Sequence, residues 1–169
     1  MDKQYYVTLL VAHTGVIRGL AQGVTAEQAH WKPNIGSWSV VEVINHLVDE
    51  EVEDFRAHLA GLFSQPSQPW TPIDPQGWVT ARQYQARDLD SSLDAFLQVR
   101  SESLIWLESL IEPDWSLFYD LAWGKLNAGD LLASWAAHDL LHIRQLTDLN
   151  YALLARTSLP ERIDYAGYW

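Results

Sequence analysis

The chain has 169 residues, enough for one domain, and 48% of them are hydrophobic, enough for a substantial core. Its 11 basic and 22 acidic side chains give a net charge of −11, which disfavours nucleic acid and an anionic membrane surface as partners. The absence of cysteine excludes disulfides, cysteine-ligated zinc and a thiol nucleophile supplied by the protein. The sequence has neither a signal-peptide pattern nor an apolar run long enough to span a membrane, so we expect one cytoplasmic domain over residues 1–169.

The first half of the chain carries two segments with the apolar periodicity of amphipathic helices. One covers about residues 3–22 and stops at Gly23. The other starts at Ser39, where the serine hydroxyl and the Glu42 carboxylate can form a capping box, and its apolar face continues for about six turns. We predict a long helix at each place.

The second half of the chain carries two more segments of this kind. The first covers about residues 89–111 and ends before Pro113, because proline cannot continue a helix. The last covers about residues 128–155, with Asn127 as a candidate N-cap. Strand-like alternation and the common hairpin turn signals are missing. We therefore predict an all-α fold, a four-helix bundle.

A long connection separates the second predicted helix from the third. This stretch of about 25 residues, from 63 to 87, holds four prolines with Trp70, Trp78 and Tyr84 between or after them. Such a length is unusual between neighbouring helices, and it indicates a crossover, a lid or both. A surface linker stiffened by its prolines is an equally good interpretation.

Two histidines interrupt the apolar stripe of the last predicted helix. His138 and His142 are four residues apart, so they project from the same face and can bind one metal ion. Two imidazoles without partners would be costly to bury, and a shared metal would offset that cost. His46 on the second helix can face inward as a third ligand, and three histidines plus water would form an open, catalytic type of site. The alternative is that all three are ordinary core or surface histidines.

Two short motifs resemble the DinB/YfiT-like superfamily. They are Gly36-Ser37-Trp38-Ser39-x-x-Glu42-x-x-x-His46-Leu47 and His138-x-x-x-His142 with Gln145 nearby. The resemblance covers nearly the whole chain, and it implies a four-helix bundle with a divalent metal, often zinc or nickel, held here by His46, His138 and His142. Characterised relatives include transferases and isomerases that use low-molecular-weight thiols such as bacillithiol or mycothiol. Many members have no known reaction, and homodimers are common.

Further residues are candidates for the surroundings of the metal. Glu50 follows His46 by one turn and is the candidate catalytic general base, with a solvated member of the local acidic run as the alternative. His13, on the inner stripe of the first helix, is a candidate for the substrate pocket, with a hydrogen-bonded core histidine as the favoured alternative. Three tryptophans are also candidates for the pocket: Trp135, Trp70 and Trp78.

Other polar and aromatic residues are expected to have structural roles. We expect Trp38 to staple the start of the second helix, His58 to lie on the surface, and Asp139 to point away from the metal. The aromatic residues near the C-terminus are expected to pack on the body of the protein or on a second subunit; they are Tyr165, Tyr168 and Trp169.

These observations lead to one main hypothesis about function and two alternatives. The main hypothesis is a metal-dependent enzyme in which the metal activates a small thiol, as in S-transferases, or water, toward an electrophilic small molecule. The first alternative is a non-catalytic, metal-stabilised module that binds a partner or a small molecule in a stress response. The second is a metal-dependent hydrolase of amides or esters. A homodimer is compatible with each hypothesis.

Overall fold

A computed structural model describes residues 1–65 and 67–167 of the chain. The helices of this part are α1 (Lys3–Gln22), α2 (Ala26–Ala29), α3 (Val40–Asp49), α4 (Arg56–Ser64), α5 (Pro75–Ala81), α6 (Leu89–Ser109) and α7 (Ala128–Thr157). A π-helical turn, Glu50–Phe55, joins α3 to α4, and short 3₁₀ turns cover Tyr84–Ala86 and Asp164–Ala166. The strands β1 (Phe118–Leu121) and β2 (Gly124–Asn127) form a small hairpin.

Four long helices form the bundle, as predicted. The first is α1, and the second is the continuous rod formed by α3, the π-helical turn and α4. The third and fourth are α6 and α7. α1 packs mainly against α6 and α7, and α3 packs against α6. The long connection between α4 and α6 holds α5, so the prediction of a crossover at this place is confirmed. Among the described residues, no helix combines the length and the apolar character needed to cross a bilayer.

The helix starts follow local capping rules. The Ser39 side chain accepts a hydrogen bond from the Glu42 backbone N–H, and the Glu42 carboxylate accepts one from the Ser39 N–H at 2.8 Å. Asn127 and Asp130 form the same reciprocal arrangement at the start of α7. Each cap satisfies donors that the first turn leaves without partners and contributes about 1 kcal/mol. Both predicted caps are confirmed.

The second long helix changes its hydrogen-bonding pattern halfway along. α3 passes into α4 through the π-helical turn Glu50–Phe55, which holds more residues per turn than an α-helix and shifts the side chains that face the core. Glu50, Glu51 and Asp54 are buried in consequence. The sequence allowed two interpretations of Glu50, a candidate base or a solvated member of an acidic run. Its burial excludes the solvated interpretation.

A hairpin precedes α7, although no strand is predicted there. β1 and β2 pair antiparallel, with Phe118 opposite Asn127 and Leu121 opposite Gly124. Gly124 adopts a φ of 134°, a conformation that a residue without Cβ reaches at no steric cost. The turn lacks the Asn-Gly or Asp-Gly pair that usually marks a hairpin, which is why the sequence gives no signal for it.

Two apolar clusters fill the bundle, and a polar layer lies between them along each long helix. One cluster is centred on α3 and includes Ile17, Ile44, Phe96 and Leu146. The other is centred on α4 and the start of α7 and includes Leu10, Leu59, Leu107 and Trp135. The buried polar residues that fall between the clusters are His13, Glu50, Glu51, Asp54, Arg100, Ser103, Asp139 and His142.

Salt bridges and a tyrosine attach the far end of the crossover to α3. Tyr84 is buried, and its hydroxyl donates a hydrogen bond to the Asp49 carboxylate. Arg82 lies 2.8 Å from Asp49 and 2.6 Å from Glu53. These contacts hold α5 against the π-helical turn, so this end of the crossover is not a free surface linker.

His58 attaches the near end of the crossover to α4, and the expectation that it lies on the surface is wrong. It is buried, with Nδ1 2.7 Å from the Asp54 carboxylate and Nε2 3.0 Å from the Thr71 carbonyl. Its ring stacks on Trp70 with centroids 3.5 Å apart. The crossover covers this part of α4, which one-dimensional periodicity could not show.

The C-terminal aromatic residues are described only in part. Tyr165 is fully exposed, so within this chain it does not pack on the body of the protein. Tyr168 and Trp169, which carry the rest of that expectation, lie outside the described residues.

Candidate metal centre

Three histidine side chains from two helices meet beside an open cavity. α3 supplies His46, and α7 supplies His138 and His142. The Nε2 atom of His138 lies 3.3 Å from Nε2 of His46 and 3.1 Å from Nε2 of His142. One ligand atom from each of the three lies within 4.8 Å of the others. The structure therefore brings together the side chains that the sequence proposes as metal ligands.

Two of the three nitrogen–nitrogen separations fit a tetrahedral divalent metal. With metal–nitrogen bonds of about 2.0–2.1 Å, two ligands of such a site lie roughly 3.3 Å apart, close to the 3.3 and 3.1 Å that separate Nε2 of His138 from Nε2 of His46 and of His142. Nδ1 of His142 lies 2.8 Å from the Gln145 side-chain oxygen. Because that oxygen only accepts, the ring proton is on Nδ1 and the lone pair of Nε2 points toward the other two rings.

Burial keeps the three imidazoles neutral, which is the form that binds a metal. It lowers the pKa of His46 to about 3, with a further contribution from His142. It also lowers the pKa of His138 to about 3, assisted by both neighbouring imidazoles. The pKa of His142 is lowered for the same reason. No proton therefore has to be displaced from these rings at neutral pH when a cation binds.

Glu50 lies at the edge of the histidine cluster. Its two carboxylate oxygens are 4.0 Å from Nδ1 of His46 and 4.0 Å from Nε2 of His138. Oε1 is buried and has no hydrogen-bond partner among the described residues. Burial, the hydrogen bond with Asp54 and the charges of Asp54 and Asp49 raise the pKa of Glu50 to about 9. A carboxylate with a raised pKa and one oxygen without a hydrogen bond, beside a metal site, is suited to hold a proton taken from a nucleophile, and a nearby cation would favour its ionised form.

A cavity of about 840 Å³ opens onto the three histidines and Glu50. The loop before α3, the first turn of α5 and the middle of α7 complete its wall. Besides the four residues of the centre, the wall includes Trp38, Pro75, Gln76, Gln145 and Leu149. The described lining residues include no lysine or arginine. Because Pro75 and Gln76 belong to the crossover, that segment helps to enclose the site.

Trp38 belongs to this cavity as well as to the start of α3. Its ring centroid lies 4.9 Å from that of His46, and its ring is parallel to His142 at 6.4 Å. The expectation of a structural staple missed this contact with the candidate ligands. The available signal was spacing, because Trp38 precedes His46 by eight residues, about two helical turns, and both can face the same side.

Two candidates for the substrate pocket lie in the core, away from the cavity wall. Nδ1 of His13 lies 3.4 Å from the Asp139 carboxylate. Trp135 is buried, stacks on Phe55 at 5.7 Å and donates its indole N–H to Glu51 at 2.9 Å. Since a buried indole needs an acceptor, this hydrogen bond holds Trp135 in the interior.

The other two candidates lie on the crossover and do not line the cavity either. Trp70 stacks on His58, on the α4 side of the crossover. Trp78 is half-buried, with the Arg82 guanidinium 4.2 Å above its ring. The Trp70 ring therefore fastens the crossover to α4, whereas Trp78 packs within the crossover on Arg82, which in turn contacts Asp49 and Glu53.

A buried ion cluster that the sequence does not reveal lies behind the histidines. Arg100 donates from Nε to Glu51 at 2.8 Å and from both terminal nitrogens to Asp139 at 2.7 and 2.8 Å. All three side chains are almost fully buried. Asp139 is turned away from the histidines toward Arg100, in agreement with the expectation that it is not a ligand. Burial raises the pKa of Glu51, and the donors Arg100 and Trp135 oppose that shift.

The fold and the site together define a class of protein, a four-helix bundle with three histidines converging beside a cavity. Residues 9–146 match the model of the DinB superfamily, and the chain belongs to that superfamily. Its fold is also that of YfiT from Bacillus subtilis, described as a probable metal-dependent hydrolase with an unusual four-helix bundle topology. The two chains are 16% identical and superpose with a TM-score of 0.79 over 90% of this chain and 87% of YfiT. No curated protein matches the sequence.

Proposed function

We propose that this protein is a divalent-metal-dependent enzyme that activates a small nucleophile toward an electrophilic small molecule bound in the cavity. The observation that carries the proposal is the convergence of three neutral imidazoles, with Nε2 atoms 3.1 and 3.3 Å apart, on an open cavity that also holds Glu50. Three protein ligands leave a coordination position for a nucleophile or substrate, as in catalytic zinc sites.

Each residue of the centre has a role in this proposal. His46, His138 and His142 hold the metal, and Gln145 fixes the orientation of His142 through the hydrogen bond to Nδ1. A bound zinc or nickel ion would supply Lewis acidity and a lowered pKa of the nucleophile. Glu50 receives the proton that the nucleophile loses, and Trp38 offers an aromatic wall to the substrate.

Water is the nucleophile that the position of Glu50 favours, and the reaction is then hydrolysis of an ester or amide. Water needs a general base more than a thiol does, because a thiol ionises near neutral pH. YfiT, which shares the fold, is described as a probable metal-dependent hydrolase. The second candidate is transfer of a low-molecular-weight thiol such as bacillithiol or mycothiol, which would have to come from outside because the chain has no cysteine.

Metal binding is the first test. The purified protein, stripped with a chelator and reloaded, should bind one zinc or nickel ion per chain, measured by elemental analysis after gel filtration. His46→Ala, His138→Ala and His142→Ala should each lose most of this metal, while His30→Ala, remote from the cluster, should retain it. Metal content that is sub-stoichiometric, or unchanged in the triple His→Ala variant, would contradict the proposal.

Activity separates the two nucleophiles. The metal-loaded protein is assayed against a panel of small esters and amides, and against alkyl and epoxide electrophiles with and without added thiol. Turnover without thiol supports hydrolysis, and turnover only with thiol supports transfer.

Glu50→Gln should retain the metal but lower kcat for hydrolysis by roughly 10²- to 10⁴-fold, the usual contribution of a general base. Full metal occupancy with no turnover across both panels favours the non-catalytic module. A homodimer and a cytoplasmic location stay predictions.

A further inference from the structure

We propose that Arg100 is a positioning residue that sets the distance between the metal-binding histidines. It contacts neither these histidines nor the cavity, but it joins the two chain segments that carry them. The inference rests on the proposed function, because it concerns the geometry of the metal site on which that function depends.

The contacts of Arg100 reach both segments at the level of the histidines. Its Nε donates to Glu51, which follows Glu50 in the π-helical turn, five residues after His46. Its two terminal nitrogens donate to the two oxygens of Asp139, the residue after His138. Three N–H groups of one planar guanidinium thus fix one backbone segment relative to the other.

The shape of the guanidinium matters for this role. Arginine presents its donors in a rigid plane, whereas the ammonium group of lysine is a compact charge on a flexible stem. The bidentate pairing with Asp139 fixes direction as well as distance, since both oxygens are engaged at 2.7 and 2.8 Å. The Trp135 indole N–H occupies the second oxygen of Glu51 at 2.9 Å, which fixes that carboxylate in turn.

Stability alone is a poor explanation for this cluster. Replacing buried ion pairs with apolar residues of similar volume is often neutral or stabilising, because desolvation offsets the attraction of the charges. The cluster nevertheless occupies the middle of the bundle, between the two apolar clusters. Its position beside both ligand-bearing segments accounts for its presence, because metal sites tolerate only small errors in ligand placement.

The test compares Arg100→Lys with Arg56→Lys. Arg56, 3.5 Å from Glu102, also joins the α4 region to α6 but does not reach α7, so it serves as the matched control. Zinc affinity is measured by competition with a chelator, and the visible absorption of the cobalt-loaded protein reports the coordination geometry. We expect Arg100→Lys to weaken zinc binding by about tenfold or more and to change the cobalt spectrum. Arg56→Lys should match the wild type in both.

Wild-type zinc affinity and an unchanged cobalt spectrum in Arg100→Lys would overturn the inference, even if the melting temperature fell. If that variant does not fold, the triple variant Arg100→Met, Glu51→Met, Asp139→Leu, which removes every charge of the cluster, takes its place. It should fold yet bind zinc at least about tenfold more weakly, and wild-type affinity in it would overturn the inference. If the wild-type protein itself binds no zinc, the proposed function fails. If the wild type binds zinc and the variants bind it equally well, only the inference about Arg100 fails.

Discussion

Burial determines the chemistry of individual residues at the candidate metal centre. It lowers the pKa of His46 and His138 to about 3, because a charged imidazole loses its hydration in the interior. The same desolvation, with two neighbouring carboxylates, raises the pKa of Glu50 to about 9. The neutral histidines are suited to bind a cation, and the Glu50 carboxylate is suited to accept a proton from a nucleophile. Burial thus prepares both parts of the site.

The raised pKa of Glu50 makes a prediction for the stability of the metal-free protein. The folded protein retains the Glu50 proton up to about pH 9, whereas the unfolded chain loses it near its ordinary value of 4.5. Stability from this proton is therefore complete below about pH 4.5 and is lost as the pH rises toward 9. Because glutamine cannot ionise, the melting temperature of Glu50→Gln should depend less on pH than that of the wild type between about pH 7.5 and 9, a range that begins about one unit above the ordinary histidine pKa of about 6.5.

Thermal unfolding of chelator-treated protein at several pH values in this window measures the effect. Glu108→Gln is the control, because Glu108 is an exposed glutamate on α6. If Glu50→Gln and the wild type lose stability in parallel as the pH rises, the assigned environment of Glu50 is wrong.

The π-helical turn is the feature at the scale of elements that builds the site. In a regular α-helix of 3.6 residues per turn, Phe55 and Leu59 would lie on the side opposite to His46 and Glu50. One straight stripe could therefore not bury both pairs. The turn at Glu50–Phe55 changes the facing of the rod at the level of the histidines. Such turns are often found at functional sites, and here one aims the candidate base at the candidate ligands.

Deleting Glu53, an exposed residue within this turn, tests its role. Removal of one residue should restore α-helical geometry and rotate one half of the rod by about 100° relative to the other. Either the histidine side or the Phe55 side must then leave the core. We expect the free energy of unfolding to fall by more than about 3 kcal/mol, as when a large core side chain is lost, and zinc binding to disappear.

Glu53→Ala is the first control, because it removes the contact with Arg82 but keeps the length of the turn. The second is deletion of Gln68, an exposed residue in the loop after α4, where a change in length is usually tolerated. Denaturant unfolding and zinc titration compare the Glu53 deletion with both controls. Wild-type stability in the Glu53 deletion would show that the turn carries no constraint on the rod.

At the scale of the whole molecule, the bundle stacks a polar layer between two apolar clusters. The clusters hold the helices together through burial of hydrophobic surface, while the layer holds His142, Glu50 and the Arg100 cluster. His46 and His138 lie against His142 at its edge. His46 comes from one helix, and His138 and His142 come from another. A metal bound to all three would therefore cross-link two of the four long helices.

Metal removal should consequently destabilise the whole protein. A ligand that binds only the folded state at 1,000 times its dissociation constant adds about 4 kcal/mol, which for a chain of this size raises the melting temperature by roughly 8–16 °C. Differential scanning calorimetry with and without excess zinc measures this shift. His142→Ala should melt at the same temperature in both conditions; an equal zinc-dependent shift in that variant would mean that the metal binds elsewhere.

The sequence by itself determined the features that depend on local periodicity and short-range hydrogen bonds. Four long helices, the caps at Ser39 and Asn127 and the crossover follow from patterns within a few turns of the chain. The side chains proposed as ligands could also be named, since His138 and His142 share one helical face and the motif around His46 resembles the DinB/YfiT-like superfamily. A helical face and a short motif are local properties, so one sequence is enough to find them.

Only the tertiary structure decided which residues surround those histidines. The burial of His58 under Trp70 and the place of Trp38 on the cavity wall each depend on contacts between different elements of the fold. Arg100 lies on the buried face of α6, one turn after Phe96, but its partners Glu51 and Asp139 come from two other helices. Such contacts arise when the bundle closes and desolvates polar groups that must then find partners in space, and no periodicity along one segment contains that information.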